Sequence, residues 1–203
     1  IVKVNASPVM YSTTYGSPVD GRISTQICKN DSVTLDIAGA DSYSWFNGAK
    51  TKTVTVKPEE SRTYTVTGVK SSTACPASVE FYVKVNALPE VLITDKAGRS
   101  GKASLCHDSQ FKLYASGASK YTWYDASNSV IGYKDSLADY VGDTTFYTVV
   151  GVDSNKCKAS NKFTVNSIAL PTIYFEPAKP TVCAGASTTI YGRGNANTWF
   201  WMF

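Results

Sequence analysis

The feature of this chain that most limits its fold is an internal repeat with a period of nearly 80 residues. Each copy begins with a cysteine, continues with an alternating apolar segment and reaches a tryptophan about 17 residues later. The cysteines that open the copies are Cys28, Cys106 and Cys183. Because strict alternation of apolar and polar residues predicts half-buried strands, each copy is expected to be a small β-sandwich.

The repeats account for almost the whole chain. We assign residues 1–7 to the last strand of a preceding repeat, 8–87 to the first repeat, 88–169 to the second and 170–203 to an incomplete third. A complete repeat of about 80 residues can build one modest hydrophobic core. Each junction carries a proline and hardly any flexible linker, so the repeats are expected to form a linear array.

The first repeat contains a series of predicted strands and no helical periodicity. These strands are Ser32–Ala38, Tyr43–Trp45, Thr53–Val56, Arg62–Gly68 and Val79–Val85. A buried tryptophan between two sheets is a hallmark of immunoglobulin-like sandwiches, so Trp45 and its counterpart Trp123 are predicted core residues. The fold class is therefore predicted to be all-β, with tandem immunoglobulin-like β-sandwiches.

The third repeat departs from this pattern. Its first predicted strand reads Thr188, Ile190 and Gly192 on the inner face, and a second strand is expected around Trp199. A sandwich without its remaining strands would expose an apolar face. We expect the missing strands to come from a longer chain, and donation of a strand by another subunit is the alternative.

The cysteines occur twice in each complete repeat and once in the third. They are Cys28, Cys75, Cys106, Cys157 and Cys183. This regular placement predicts disulfides and an extracytoplasmic setting. A zinc site is not expected, because the sequence has no C-x-x-C pair and a single histidine.

Two disulfide schemes are open. Pairing within repeats would join Cys28 to Cys75 and close a loop worth roughly 4 kcal/mol on the chain-entropy model. However, Cys28 precedes one strand and Cys75 follows another that runs the same way, so the two should lie on the order of 20 Å apart. The sequence slightly favours Cys28 with Cys157, a bridge between repeats. Cys75, Cys106 and Cys183 would then pair with cysteines of further repeats.

The recurring motifs resemble a known family of modules. The pattern I-C-x-x-x-S-V-T-L, G-A, Y-S-W, T-Y-T-V-T-G and V-x-V-N-x-L-P is similar to the immunoglobulin-like and PKD-like tandem repeats of Bacteroidota cell-surface proteins. That family includes gliding-motility adhesins and other substrates of type IX secretion. The resemblance implies an extracellular glycoprotein at the cell surface. It also implies O-glycosylation at the Asp-Ser/Thr triplets, with Ser32, Ser136 and Thr144 as acceptors.

The function indicated by these observations is structural. We expect a stalk or filament segment of a secreted adhesin, whose partners are neighbouring repeats of the same chain. One alternative is a glycan-binding module or contact with other filament subunits, through the outer-face aromatics Phe46, Tyr114, Tyr124 and Tyr133. Another is a set of accessory repeats in a secreted enzyme.

Other classes of function lack their sequence signals. Enzymatic activity is not expected, because His107 is the single histidine and is predicted to lie in a loop. The net charge of +4 comes from scattered lysines and arginines, which argues against nucleic-acid binding. The sequence contains no apolar run long enough for a membrane span, and it predicts no metal ion and no cofactor.

Overall fold

The computed structural model describes residues 4–201 and forms β-strands connected by turns and loops. These residues contain no helix, and so they contain no apolar helix long enough to span a membrane. The all-β prediction is confirmed. Residues 1–3, part of the predicted last strand of a preceding repeat, lie outside the described residues, and Val4–Ser7 form no strand.

The described chain is divided into two compact units. The first comprises the chain up to Val91 together with Gly117–Tyr121 and Val150–Ser160. The second comprises Leu92–Ser116, Thr122–Val149 and the chain from Asn161 onward. The repeat boundaries derived from the sequence remain a prediction.

The first repeat contains six strands in two sheets. They are β1 (Arg22–Cys28), β2 (Val33–Asp36), β3 (Ser42–Trp45), β4 (Thr53–Val56), β5 (Arg62–Val69) and β6 (Pro76–Asn86). One sheet has the order β1-β6-β5-β3, and β2 pairs with β4 in the other. An isolated antiparallel β-bridge between Tyr11 and Ala38 adds the start of the repeat to the sheet of β2 and β4.

The core of this sandwich lies between its two sheets. Leu35 and Ile37 from one side meet Trp45, Val66 and Phe81 from the other, and all five are buried. The alternation along each strand produces this arrangement, because every second side chain of a strand points to the same face. The predicted strands therefore form close to their expected bounds.

Strand β1 is the element that the sequence prediction omitted. It runs parallel to β6, with Ile23 opposite Phe81 and Cys28 opposite Asn86. Its residues alternate only in part, and its partner lies more than 50 residues later in the chain. Cys28 is therefore the last residue of a strand rather than a residue of the loop before β2.

The second repeat contains eight strands with the corresponding pairings. They are β7 (Leu92–Asp95), β8 (Lys102–Cys106), β9 (Gln110–Ser116), β10 (Lys120–Tyr124), β11 (Val130–Gly132), β12 (Ser136–Tyr140), β13 (Thr145–Val152) and β14 (Lys158–Ile168). The sheets have the orders β11-β10-β13-β14-β8 and β12-β9-β7. Strand β8 is parallel to β14, as β1 is to β6.

The third segment forms one antiparallel pair, β15 (Ile173–Glu176) with β16 (Tyr191–Gly194). The predicted strand through Thr188 and Ile190 does not form; the strand begins at Tyr191 instead. The strand predicted around Trp199 is also absent from the part of the segment that is described. In the described structure, no second sheet covers these residues.

Candidate functional site: the disulfide from Cys28 to Cys157

A disulfide joins Cys28 to Cys157, with the two Cα atoms 5.5 Å apart and a sequence separation of 129. Both cysteines belong to the first compact unit. In the predicted repeat scheme they belong to consecutive repeats. This is the pairing that the sequence analysis slightly favoured, and the alternative bond from Cys28 to Cys75 is not formed.

The position of Cys28 follows from the parallel pairing of β1 with β6. Both strands end together, so Cys28 lies at the end of the sandwich where the chain leaves the first repeat. The Lys29 backbone N–H donates to the Asn86 carbonyl at 2.8 Å, which extends the ladder by one bond. The buried Asn86 side chain donates to the Ile27 carbonyl at 3.4 Å and so secures the same end of β1.

Cys157 is fully buried in the turn between β13 and β14. The turn is closed by Asp153, whose carboxylate accepts the Cys157 backbone N–H at 2.8 Å. The Asp153 backbone N–H in turn donates to the Cys157 carbonyl at 3.0 Å. Because an aspartate side chain can replace a backbone acceptor, this short turn holds the cysteine in a defined place.

Cys75 occupies the corresponding turn of the first repeat. It precedes β6 as Cys157 precedes β14, and the Lys70 N–H donates to its carbonyl at 3.3 Å. Its thiol lies 3.7 Å from the carbonyl oxygen of Asn5. Cys75 has no disulfide partner in the described chain.

Cys106 occupies the position in the second repeat that Cys28 occupies in the first. It ends β8 opposite Ile168, and the His107 N–H donates to the Ile168 carbonyl at 2.8 Å. Its thiol is exposed and forms no disulfide within the described residues.

The same tight turn follows the opening cysteine of all three repeats. The backbone N–H three residues later donates to the cysteine carbonyl at 3.0 Å for Cys28, 3.1 Å for Cys106 and 3.0 Å for Cys183. The residue two positions after each cysteine has a positive φ. The three cysteines thus open the same turn, although among the described residues Cys28 alone of the three forms a disulfide.

The predicted tryptophans have matching environments. Trp45 is 3% exposed and Trp123 is 0% exposed. Each indole N–H donates to a backbone carbonyl at 2.8 Å, that of Thr51 for Trp45 and that of Lys134 for Trp123. A buried indole N–H needs such an acceptor, and both repeats provide it.

The three predicted O-glycosylation acceptors differ in exposure. Ser32 is exposed in the loop before β2, and Thr144 is exposed in the loop before β13. Ser136 is half-buried at the first position of β12, opposite Tyr114. The Thr144 hydroxyl oxygen accepts the Ser167 N–H at 3.0 Å, so a sugar there would lie beside the end of β14.

The residues considered for catalysis and glycan binding lie on different elements, with Tyr114 in β9, Tyr124 at the end of β10 and Tyr133 after β11. His107 lies after β8, with its Nδ1 3.0 Å from the carboxylate of Asp108. The exposed ring of Phe46 packs on Tyr64 with centroids 4.7 Å apart. The described residues contain no cluster of potential metal ligands.

Comparison with known proteins gives likenesses of fold. No protein-family model and no curated sequence matches the chain. Fibronectin(III)-like modules of CbhA from Clostridium thermocellum are similar with a TM-score of 0.40 and 9% identity, over 79% of this chain and 94% of that chain. A three-immunoglobulin-domain structure of titin is similar with a TM-score of 0.39 and 13% identity, over 84% and 70% of the two chains.

A third likeness is to the three N-terminal domains of the outer capsid protein Hoc from bacteriophage RB49. The TM-score is 0.35 at 16% identity, over 94% of this chain and 69% of that chain. The two-sheet topology, with a parallel pair at the edge and a tryptophan in the core, places the chain in the immunoglobulin-like class of folds.

Proposed function

We propose that this chain is a structural stalk or filament segment of a secreted cell-surface adhesin. The observation that carries the proposal is the bond from Cys28 to Cys157, which ties a residue of the predicted first repeat to one of the predicted second. A covalent tie of this kind resists extension, because the segment between the cysteines, which are 129 positions apart in sequence, cannot be pulled out while the bond is intact. Neighbouring repeats of the same chain are the partners.

The equivalent cysteines extend the scheme in both directions. Cys75 is equivalent to Cys157, and its thiol lies 3.7 Å from the Asn5 carbonyl. Asn5 precedes Ala6 and Pro8 much as Asn86, the residue opposite Cys28, precedes Ala87 and Pro89. A cysteine equivalent to Cys28 in a preceding repeat would therefore reach Cys75. By the same equivalence, Cys106 would bond to a following repeat.

The setting follows from this chemistry. Disulfides persist in oxidising compartments, which supports an extracellular location at the cell surface. The exposed Ser32 and Thr144 are accessible to a glycosyltransferase, and attached sugars would protect such a stalk from proteolysis. The resemblance of the repeats to Bacteroidota surface modules supports the adhesin assignment and a role in gliding motility.

Single-molecule stretching of the 203-residue chain tests the mechanical role. At about 3.5 Å per extended residue, the segment closed by the disulfide stores roughly 450 Å of contour length. We expect that length to appear only when a reductant is present. The matched control Cys183→Ser should extend like the parent chain. Full extension without reductant would refute the role of the bond.

Non-reducing peptide mapping of the native protein tests the extended scheme. We expect Cys75 and Cys106 each in a disulfide with a cysteine of another repeat. Free thiols at both positions, or a bond from Cys75 to Cys106, would contradict it. A glycan array on the same chain examines the alternative, a glycan-binding module; specific binding lost with Tyr133→Ala would favour that function instead.

A further inference from the structure

The second repeat presents one face of a three-stranded sheet to solvent. The sheet has the order β12-β9-β7. Its central strand β9 alternates strictly, so that Phe111, Leu113 and Ala115 are buried and the residues between them are exposed. Residues that pair across antiparallel strands point to the same face. The exposed face therefore consists of Leu92, Thr94, Gln110, Lys112, Tyr114, Ser116, Ser136, Ala138 and Tyr140.

Two tyrosine side chains on this face are open to solvent. Tyr140 is 64% exposed and Tyr114 is 39% exposed. Tyr140 lies on the neighbouring strand, opposite Gln110, and Gln110 is four residues from Tyr114 along β9. The Cα atoms of the two tyrosines are therefore about 14 Å apart. A short oligosaccharide can span this distance and contact both rings.

Uncharged polar side chains surround the two rings. Thr94 and Ser136 lie opposite Tyr114 on the strands to either side, and Gln110 lies opposite Tyr140. Hydroxyl and amide groups both donate and accept hydrogen bonds, as the hydroxyls of a sugar require. An exposed aromatic ring offers an apolar surface on which the C–H face of a sugar ring can stack. The sheet face thus provides both kinds of contact that a glycan makes.

Lys112 supplies the charge of this face. It lies along β9 between the positions of the two tyrosines, and its Nζ is 5.1 Å from the centroid of the Tyr114 ring. The carboxylate of Asp139, on the same strand as Tyr140, is directed to the other side of the sheet, where its Oδ2 accepts the Tyr147 hydroxyl at 2.8 Å. The residues of the face include a cation and no carboxylate, which favours a ligand with negative charge.

The corresponding sheet of the first repeat lacks these rings. Asp36 occupies the position of Tyr114, since each lies eight residues after the opening cysteine of its repeat. The Asp36 carboxylate is already engaged, because it accepts the Ser12 hydroxyl at 2.7 Å. The other side chains on the same face of β2 and β4 are Thr34, Thr53 and Thr55. The two tyrosines are therefore a property of the second repeat and not a requirement of the fold.

We propose that this face of the second repeat binds a linear acidic polysaccharide. Two of its sugar rings stack on Tyr114 and Tyr140, and the carboxylate of a uronic acid between them pairs with Lys112. Of the four aromatic residues that the sequence suggested for glycan binding, Tyr114 alone lies on these strands, and the structure adds Tyr140. The site is independent of the disulfide, and it gives a structural repeat a means of attachment to a polysaccharide surface.

Affinity electrophoresis of the whole chain in gels that contain polygalacturonate or alginate tests the proposal. We expect at least one of these polymers to retard the protein, and neutral dextran to leave its mobility unchanged. Tyr114→Ala and Tyr140→Ala should each weaken binding by about tenfold. The control Tyr174→Ala removes an exposed tyrosine from the third segment and should bind like the parent chain. No retardation by either acidic polymer, or equal binding of all three variants, would overturn the proposal.

Charge variants separate this site from general attraction between a chain of net charge +4 and an acidic polymer. Lys112→Gln should weaken binding by about tenfold. Lys120→Gln removes the same charge from a position outside the face and should leave binding unchanged. Unaltered thermal unfolding of each variant establishes that it is folded. Equal effects of the two lysine variants, or equal retardation by dextran and by the acidic polymers, would count against the site.

Discussion

The beginning of the second repeat and the beginning of the third segment form the same strand pair, but they differ in burial. Val91 and Ile173 each lie two residues after a proline. Ile173 pairs with Gly194, and Val91 precedes Leu92, which pairs with Ser116, the neighbour of Gly117. Both glycines lie eleven residues after the opening cysteine of their repeat. Val91 is 6% exposed, whereas Ile173 is 55% exposed. The difference shows that local sequence determines the pairing and the second sheet determines the burial.

The glycines explain why the pairing is conserved between the copies. A Cβ atom at Gly39, Gly117 or Gly194 would collide with the backbone carbonyl oxygen of Val9, Glu90 or Thr172, respectively. Each of the three glycines also has a positive φ. The close approach of the segment that opens each repeat therefore depends on a single glycine. In the third segment this glycine allows the strands to pair although no core covers them.

Burial depends on a second glycine in the opposite sheet. At Gly151 a Cβ would lie 2.5 Å from Cγ2 of Val91, and at Gly68 it would lie 2.7 Å from Sδ of Met10. These contacts hold the segment that opens each repeat against the sheet that contains the tryptophan. The described part of the third segment has no such sheet, so its aromatic residues stay exposed. Matched substitutions in the two regions test this difference.

The largest difference is expected for the cysteines. The double variant Cys28→Ser/Cys157→Ser should lower the free energy of unfolding of the first unit by up to about 5 kcal/mol, because the bond limits the unfolded chain. Cys183→Ser removes a thiol that has no partner and should change nothing measurable. Urea denaturation followed by circular dichroism, with and without reductant, measures both. Equal midpoints for the two variants would show that the disulfide does not stabilise the fold.

The tryptophans give the next largest effect. Trp123→Ala should cost about 3–5 kcal/mol, because it leaves a cavity in a closed core and an unpaired Lys134 carbonyl. Trp199, which is 36% exposed, should cost no more than about 0.5 kcal/mol when replaced by alanine. Chemical denaturation of the two variants provides the test. A comparable loss in both would mean that the third segment has a core of its own.

The glycines are expected to give an intermediate effect. Gly117→Ala should destabilise the second repeat by about 2 kcal/mol, because its φ of +88° and the nearby Glu90 carbonyl both oppose a Cβ. Gly194→Ala should open the pair of β15 and β16 without moving the main unfolding transition. Amide hydrogen exchange resolves the two regions. Unchanged exchange in β15 after Gly194→Ala would contradict the role of this glycine.

The sequence predicted those parts of the fold that depend on local alternation and on the repeat. Strands β2 to β5, the buried Trp45 and Trp123, and the end of the sandwich that carries Cys28 could all be derived in this way. Strands β1 and β8 could not, because each alternates weakly and pairs with a parallel partner far along the chain.

The smallest expected effect concerns the carboxylate of Asp36, which anchors residues 12–15 of the first repeat. Burial opposes ionisation of Asp36, but hydrogen bonds to its carboxylate outweigh this and lower its pKa to about 2. Ser12 Oγ donates to it at 2.7 Å, and so does the Thr13 backbone N–H. In the third segment, Glu176 forms an exposed pair with Arg193 at 3.0 Å, and such surface pairs contribute little.

The variants Asp36→Asn and Glu176→Gln should therefore differ in their effect on stability. An unfolded aspartate titrates near pH 4, so the contribution of Asp36 is fully present above about pH 5 and is lost as the pH falls toward 2. Asp36→Asn should reduce the loss of stability between pH 5 and pH 2 by on the order of 1–2 kcal/mol, whereas Glu176→Gln should leave it unchanged. Some acid sensitivity should persist in Asp36→Asn, because hydrogen bonds from Arg99, opposed by burial, also lower the pKa of Asp95. Thermal unfolding across this pH range measures the slopes. If both variants followed the parent curve, the hydrogen bonds of Asp36 would not stabilise residues 12–15 in the folded protein.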